Sequence, residues 1–234
     1  MKTKAAFVTA VCLTTLLTAC NTTSKLASEP IPESGFLSNY SILVPVSTTV
    51  PDVRIYRYRK SSVDPAVYTG VILDPIYLNQ DVTKAVSQET IQQTKEALQA
   101  SMEEAVLSKG NVKIVTEPGR GVARFSVGIT GAESSPDNLK PWSFTPIGLA
   151  INGAAYVGGV TQKTPTLLVE SKIVDSQTNQ LLGEGLVMVQ GESFRTNSGS
   201  LDSFIAMAEE AVTVAMETSA ASEAATMRSI NSFL

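Results

Sequence analysis

TLLVESKIVD at 166–175 and LLGEGLVMVQG at 181–191 are two apolar, β-branched runs separated by SQTNQ at 176–180. Runs of this length and composition around a short polar break read as a β-hairpin. Asn179 is a residue that tolerates the positive φ such a turn needs. Glu170 and Lys172 fall two apart, so they share one face of the first strand. Glu170, Lys172 and Asp175 suggest acid–base chemistry, but a same-face acid and base on a strand more commonly form an ion pair or a solvated pair.

Upstream, VYTGVILDPIYL at 67–78 has a strand pattern punctuated by Asp74-Pro75. SQETIQQTKEALQASMEEAVLSKG at 87–110 follows, with Ile91, Leu98, Met102, Ala105 and Val106 at helical spacing and Gly110 as its stop. NVKIVTE at 111–117 and GVARFSVGITGAE at 121–133 then read as two strands joined by the turn Pro118-Gly119-Arg120-Gly121. These glycines are not a phosphate loop, because no Gly-Lys-Ser/Thr ending follows and the residues after Gly121 alternate like a strand. Downstream of the hairpin, a helix from 201 to about 227 presents Leu201, Phe204, Ile205, Ala208, Val212 and Ala215 on one face, with Ser200 as N-cap. The expected fold is α+β: a mixed sheet with two main amphipathic helices packed on it, after a disordered lipid tether.

Two further stretches carry competing readings. In VRIYRYRK at 53–60, Arg54, Tyr56, Tyr58 and Lys60 share a face. That is either a basic-aromatic strip for lipopolysaccharide phosphates, glycan or nucleic acid, or a short edge strand whose solvated basic side chains discourage pairing. SFTPIGLAINGAAYVGG at 143–159 is apolar and rich in Gly and Ala. It is either a small-residue helix lying on the sheet or a loop that touches the membrane or a partner, and Ile151 and Tyr156 are its candidate interaction residues.

The amino terminus supplies an address. Lys2 and Lys4 precede an apolar run from Ala5 to Leu17, which has the length of a secretory core and is too short to span a bilayer. Leu17-Thr18-Ala19-Cys20 follows, resembling the bacterial lipobox. That resemblance implies a signal peptide at 1–19, cleavage before Cys20, a diacylglyceryl thioether on its sulfur, and an acylated amine with palmitate as the expected fatty acid. The other reading of Cys20 is an ordinary small residue with a leftover thiol. The only other cysteine, Cys12, lies in the segment to be removed. Asn21, rather than Asp, follows Cys20; by resemblance to the sorting rule of enteric bacteria this directs the protein to the outer membrane, facing the periplasm. NTTSKLASEPIPESG at 21–35 is polar and Pro-bearing, so residues 20–35 read as lipidated cysteine and flexible tether, and 36–234 as one domain.

Composition excludes more than it assigns. The 234 residues include no histidine and two cysteines, so Ser-His-Asp and Cys-His catalysis, Cys/His zinc sites, haem ligation by histidine and iron–sulfur clusters have no residues to build them. No cofactor or metal is expected. The formal charge of −4 becomes −6 without Lys2 and Lys4, since 16 basic then face 22 acidic side chains. An acidic chain is a poor partner for nucleic acid, where binding rests on neutralising phosphates.

The succession VYTGVILDPIYL, PGRGVARFSVGITGAE, SFTPIGLAINGAAYVGG and LLVESKIVDSQTNQLLGEG resembles the bacterial lipoprotein family catalogued as domain of unknown function 3313, over roughly residues 36–220. Asn179 stands where that family commonly has Gly. The order of elements is also similar to the curli secretion lipoprotein, the penicillin-binding-protein activator lipoproteins and the amino-terminal domain of the Tol-system propeller protein. These likenesses imply an exported, lipid-anchored, non-enzymatic binding or structural protein with an envelope protein partner or self-association. Two alternatives stand beside it. One is a subunit of a self-assembling secretion or surface structure, with 143–159 as contact element. The other is a glycan hydrolase using carboxylates alone, for which Glu117, Glu133, Glu170 and Asp175 are the available acids.

Overall fold

The computed structural model describes residues 31–79, 86–136 and 163–231. Cys20, Asn21, Ile151 and Tyr156 lie outside the described residues. Among the described residues eight strands form one mixed sheet: β1 (Val44–Val46), β2 (Val53–Arg59), β3 (Gly70–Leu73), β4 (Tyr77–Leu78), β5 (Lys113–Ile114), β6 (Val122–Pro136), β7 (Lys163–Asp175) and β8 (Leu181–Gln190). Their order is β1-β2-β8-β7-β6-β3-β5, with β4 also paired to β6. Among the described residues two α-helices, α1 (Gln88–Ser108) and α2 (Asn197–Asn231), complete the α+β fold.

The β7–β8 hairpin lies at the centre, antiparallel throughout, and Asn179 at its turn has φ +56°. Asp175 ties that turn: its carboxylate accepts from the backbone N–H groups of Gln177 (3.1 Å) and Thr178 (2.9 Å) and from the Thr178 hydroxyl (2.9 Å). These bonds, the Thr178 N–H first, hold the Asp175 carboxyl below its usual range. Asp175 is therefore a turn residue.

The Asp74-Pro75 break splits one sheet position between two short strands. β3 and β4 both run parallel to β6, and Asp74 accepts from Arg124 (2.9 Å) and Ser126 (2.6 Å) of β6. The turn at 118–121 exists, but the strands it joins do not pair with each other; β5 and β6 flank β3, each parallel to it. Gly121 takes φ +71°, and a Cβ there would sit 2.7 Å from the Val67 carbonyl oxygen.

Alternation along the hairpin buries both faces. Leu167, Val169, Val187 and Val189 join Val53, Ile55, Val127 and Ile129 beneath the helices, where α1 contributes Ile91, Leu98 and Met102. Ser87 caps α1 by accepting the Thr90 N–H at 3.1 Å. Gly110 (φ +71°) ends it.

α2 departs from the expected boundaries and face. It begins at Asn197, and Thr196, not Ser200, caps it by accepting the Gly199 N–H at 3.1 Å. Its buried stripe is Phe204, Met207, Ala208, Ala211 and Val214, which leaves Ile205 and Val212 on the flanks. The stripe turns because α2 packs against α1 as well as the sheet, so its apolar arc is centred between the two.

The expected edge strand at 53–60 is also corrected. β2 is internal, with β1 pairing Val44–Val46 to residues 55–57 and β8 along its other side. Val53, Ile55 and Arg57 face the helices, and Arg57 donates to the Ala215 carbonyl (3.0 Å) and the Thr218 hydroxyl (2.9 Å) of α2. Burial, together with nearby Arg59, lowers the Arg57 pKa from its usual value. Tyr56 and Tyr58 lie on the opposite face, partly buried, with the Arg54 guanidinium 5.2 Å from the Tyr56 ring centre. Packing uses the aromatic half of the supposed basic-aromatic strip.

Candidate functional site

The sheet face turned away from the helices carries a smaller apolar cluster of Leu168, Leu186 and Met188, covered by Leu37 and Leu43 with Ile31, Phe36 and Tyr40. The cover is the amino-terminal arm, residues 31–43. Its first five residues fall in the stretch expected as tether, yet Ile31 packs on this cluster and Ser34 bonds to the sheet.

Tyr40 organises the arm. Its phenol oxygen accepts the backbone N–H groups of Ser34 (3.1 Å), Gly35 (3.0 Å) and Leu37 (3.4 Å), gathering the loop around one atom. Asn39 fixes the turn on which Tyr40 stands by accepting the Ser41 N–H at 2.9 Å. Phe36 stacks on Tyr77, with ring centres 5.6 Å apart, above Gly128. A Cβ at Gly128 would come within 3.1 Å of both rings. Glycine is what lets the arm lie this close.

Two buried carboxylates lie beneath. Glu170 of β7 is 0% exposed and Glu184 of β8 is 3% exposed. Glu170 is directly opposite Leu186, so Glu184, two residues away on the same face, is its diagonal neighbour. Ser34 Oγ donates to Glu170 Oε2 at 2.5 Å, and Tyr40 OH donates to both carboxylate oxygens at 3.2 Å. The Ser38 N–H donates to Glu184 Oε1 at 2.7 Å, whereas Glu184 Oε2 has no hydrogen-bond partner among the described residues. Burial pushes the Glu170 carboxyl up to about 7; the bonds from Ser34 and Tyr40 oppose the rise, and the charge of Glu184 adds to it. Burial likewise raises the Tyr40 phenol.

The four acids considered for hydrolysis do not converge on a cleft. Asp175 serves the hairpin turn, Glu117 is exposed in the loop after β5, Glu133 is buried on β6, and Glu170 is closed over by the arm. An open groove of about 470 Å³ lies elsewhere, between α1 and the β3–β4 break, lined by Asp74, Pro75, Lys95, Glu96, Gln99 and Glu103. Asp74 there is already bound by Arg124 and Ser126. Among the described residues no group of three His, Cys, Asp or Glu could hold a metal ion.

Sequence reading singled out Glu170 but missed Ser34, Tyr40 and Glu184. The signal for Glu184 was present: both faces of GLVMV are apolar, so an acid in register with them is buried too. The arm left no such signal, because Ser34 sits in a polar, Pro-bearing stretch, Tyr40 lies just beyond it, and the Glu170 they share is more than a hundred residues away.

The chain is 28% identical over 200 residues to an uncharacterised lipoprotein of Escherichia coli, YdcL, covering 85% of this chain and 86% of that one. Among solved structures it is similar to a DUF4136 family protein from Bacteroides thetaiotaomicron (TM-score 0.41, 12% identity, 73% of this chain and 97% of the other). It is also similar to a minor lipoprotein from Acinetobacter baumannii (TM-score 0.39, 12% identity, 67% and 96%). The family model described as a protein of unknown function, DUF3313, matches residues 32–218, and the chain belongs to that family.

Proposed function

We propose that this protein is a lipoprotein of the cell envelope, anchored through acylated Cys20 at the periplasmic face of the outer membrane, whose domain binds another envelope protein and catalyses nothing. The observation that carries this reading is how the acids are used. Glu170 and Glu184 bond the arm to the sheet and Asp175 closes a turn, so these carboxylates build the domain and do not face a substrate cleft. The lipobox-like Leu17-Thr18-Ala19-Cys20, together with a relative described as a lipoprotein, supports the anchor. Among the described residues no helix is long and apolar enough to cross a membrane. Several acyl chains hold a protein durably at roughly 0.8 kcal/mol per buried CH₂, where one chain holds weakly.

Crosslinking in intact cells, with purification and mass spectrometry, tests the reading. An envelope protein enriched with the native chain and absent from a Cys20→Ser control is the expected result. Recovery of this chain alone, in a stable ring or other homo-oligomer, would replace partner binding with self-assembly.

A further inference from the structure

We propose that the amino-terminal arm is a proton-operated clasp: residues 31–43 stay docked on the sheet while Glu170 carries a proton and loosen when it ionises. The geometry supplies the elements. Glu170 is fully buried, and the hydrogen bonds that reach it directly from the arm are those of Ser34 and Tyr40. No Lys or Arg is ion-paired with it among the described residues. An ionised carboxylate there is a desolvated charge that hydroxyl groups alone, those of Ser34 and Tyr40 from the arm and of Thr130 from β6, help to hold, and undocking the arm returns it to water.

The groups around Glu170 sharpen this. Tyr40 meets it from the arm, and Glu184 from β8 adds a like charge. Lys172 follows on the same face of β7, and Arg54, Tyr56 and Tyr58 line that face on β2. Gly128 lies opposite it on β6, where Arg124, farther along, is engaged by Asp74; Tyr77 of β4 stacks on Phe36. Burial sets the Glu170 carboxyl near 7, inside the range where a modest pH change moves its charge.

Loosening has two consequences. It uncovers Leu168, Leu186 and Met188. It also frees 31–43 to join the connection to Cys20, as a segment that spans about 20 Å as a flexible coil or about 45 Å fully extended. The change in reach rests on the anchor proposed above; the clasp does not.

Hydrogen exchange of the arm amides, corrected for the intrinsic pH dependence of exchange, tests the clasp in the full chain and in its Cys20→Ser form. Arm protection is expected to fall by about tenfold or more between pH 5.5 and 8, while the central amides of α2 stay protected. Glu170→Gln removes the pH dependence. Ser34→Ala, which deletes a bond favouring the ionised carboxylate, deepens the fall in protection and extends it to higher pH, moving its midpoint up. Gly128→Leu displaces Phe36 and leaves the arm unprotected at both pH values. Equal wild-type protection at pH 5.5 and 8 would overturn the proposal whatever the variants do, as would an unchanged pH dependence in Glu170→Gln or an unmoved midpoint in Ser34→Ala. Loss of the pH effect in both chains counts against the clasp alone, whereas membrane retention of the Cys20→Ser chain counts against the anchor alone.

Discussion

A carboxyl whose pKa lies above its ordinary 4.5 is a liability that grows with pH. Below about pH 4.5 Glu170 is protonated whether the chain is folded or unfolded, so its contribution to stability is fully present. Between 4.5 and about 7 the folded protein holds the proton and the unfolded chain does not, and stability falls as pH rises; above 7 the loss is complete. At 1.36 kcal/mol per pKa unit the ceiling is roughly 3 kcal/mol. Glu170→Gln is therefore expected to raise the thermal midpoint by about 2–6 °C at pH 8 and by little at pH 5. Thermal melts of both proteins across that range check it, and a variant destabilised at pH 8 would contradict it. Gly121 tests a different constraint. Its φ of +71° and the 2.7 Å approach to Val67 make Gly121→Val destabilising by about 2–4 kcal/mol. Asn179→Gly, at φ +56°, is expected to change stability by no more than about 0.5 kcal/mol. Denaturant unfolding of the two variants measures the contrast.

α2 shows which parts of an element can be read from sequence and which cannot. That a helix exists there follows from spacing alone, since Phe204, Ala208 and Ala215 recur with the period of one face. Which face is buried does not follow, because Met207, Ala211 and Val214 are chosen by contact with α1 as well as with the sheet. The same holds for β2: its alternation is plain in VRIYRYRK, yet its internal place depends on β1, a three-residue strand with almost no signature. The hairpin was legible because strand, turn and strand are contiguous and Asn179 supplies the left-handed residue. Phe204, fully buried where α2 meets the sheet, is the strongest single test of this packing. Phe204→Ala is expected to destabilise by about 3–5 kcal/mol. Chemical denaturation reads it out, and a loss under 1 kcal/mol would mean that α2 does not seal the core.

Across the molecule the helices cover one side of the sheet and the arm covers the other, so both sides of the central hairpin are buried. The chain that closes the second side leads back to Cys20. The fold class was visible in the sequence because it rests on local periodicity. The candidate site was not, because it forms only when residues 34–40 meet residues 170 and 184. The proposed function depends on acylation of Cys20. Intact-mass analysis of the mature protein extracted from membranes tests it most directly. The expected species is a chain beginning at Cys20 and heavier than its sequence by a diacylglyceryl group and one further acyl chain. A soluble chain of unmodified mass, with a free thiol at Cys20 or with residues 1–19 still attached, would contradict it.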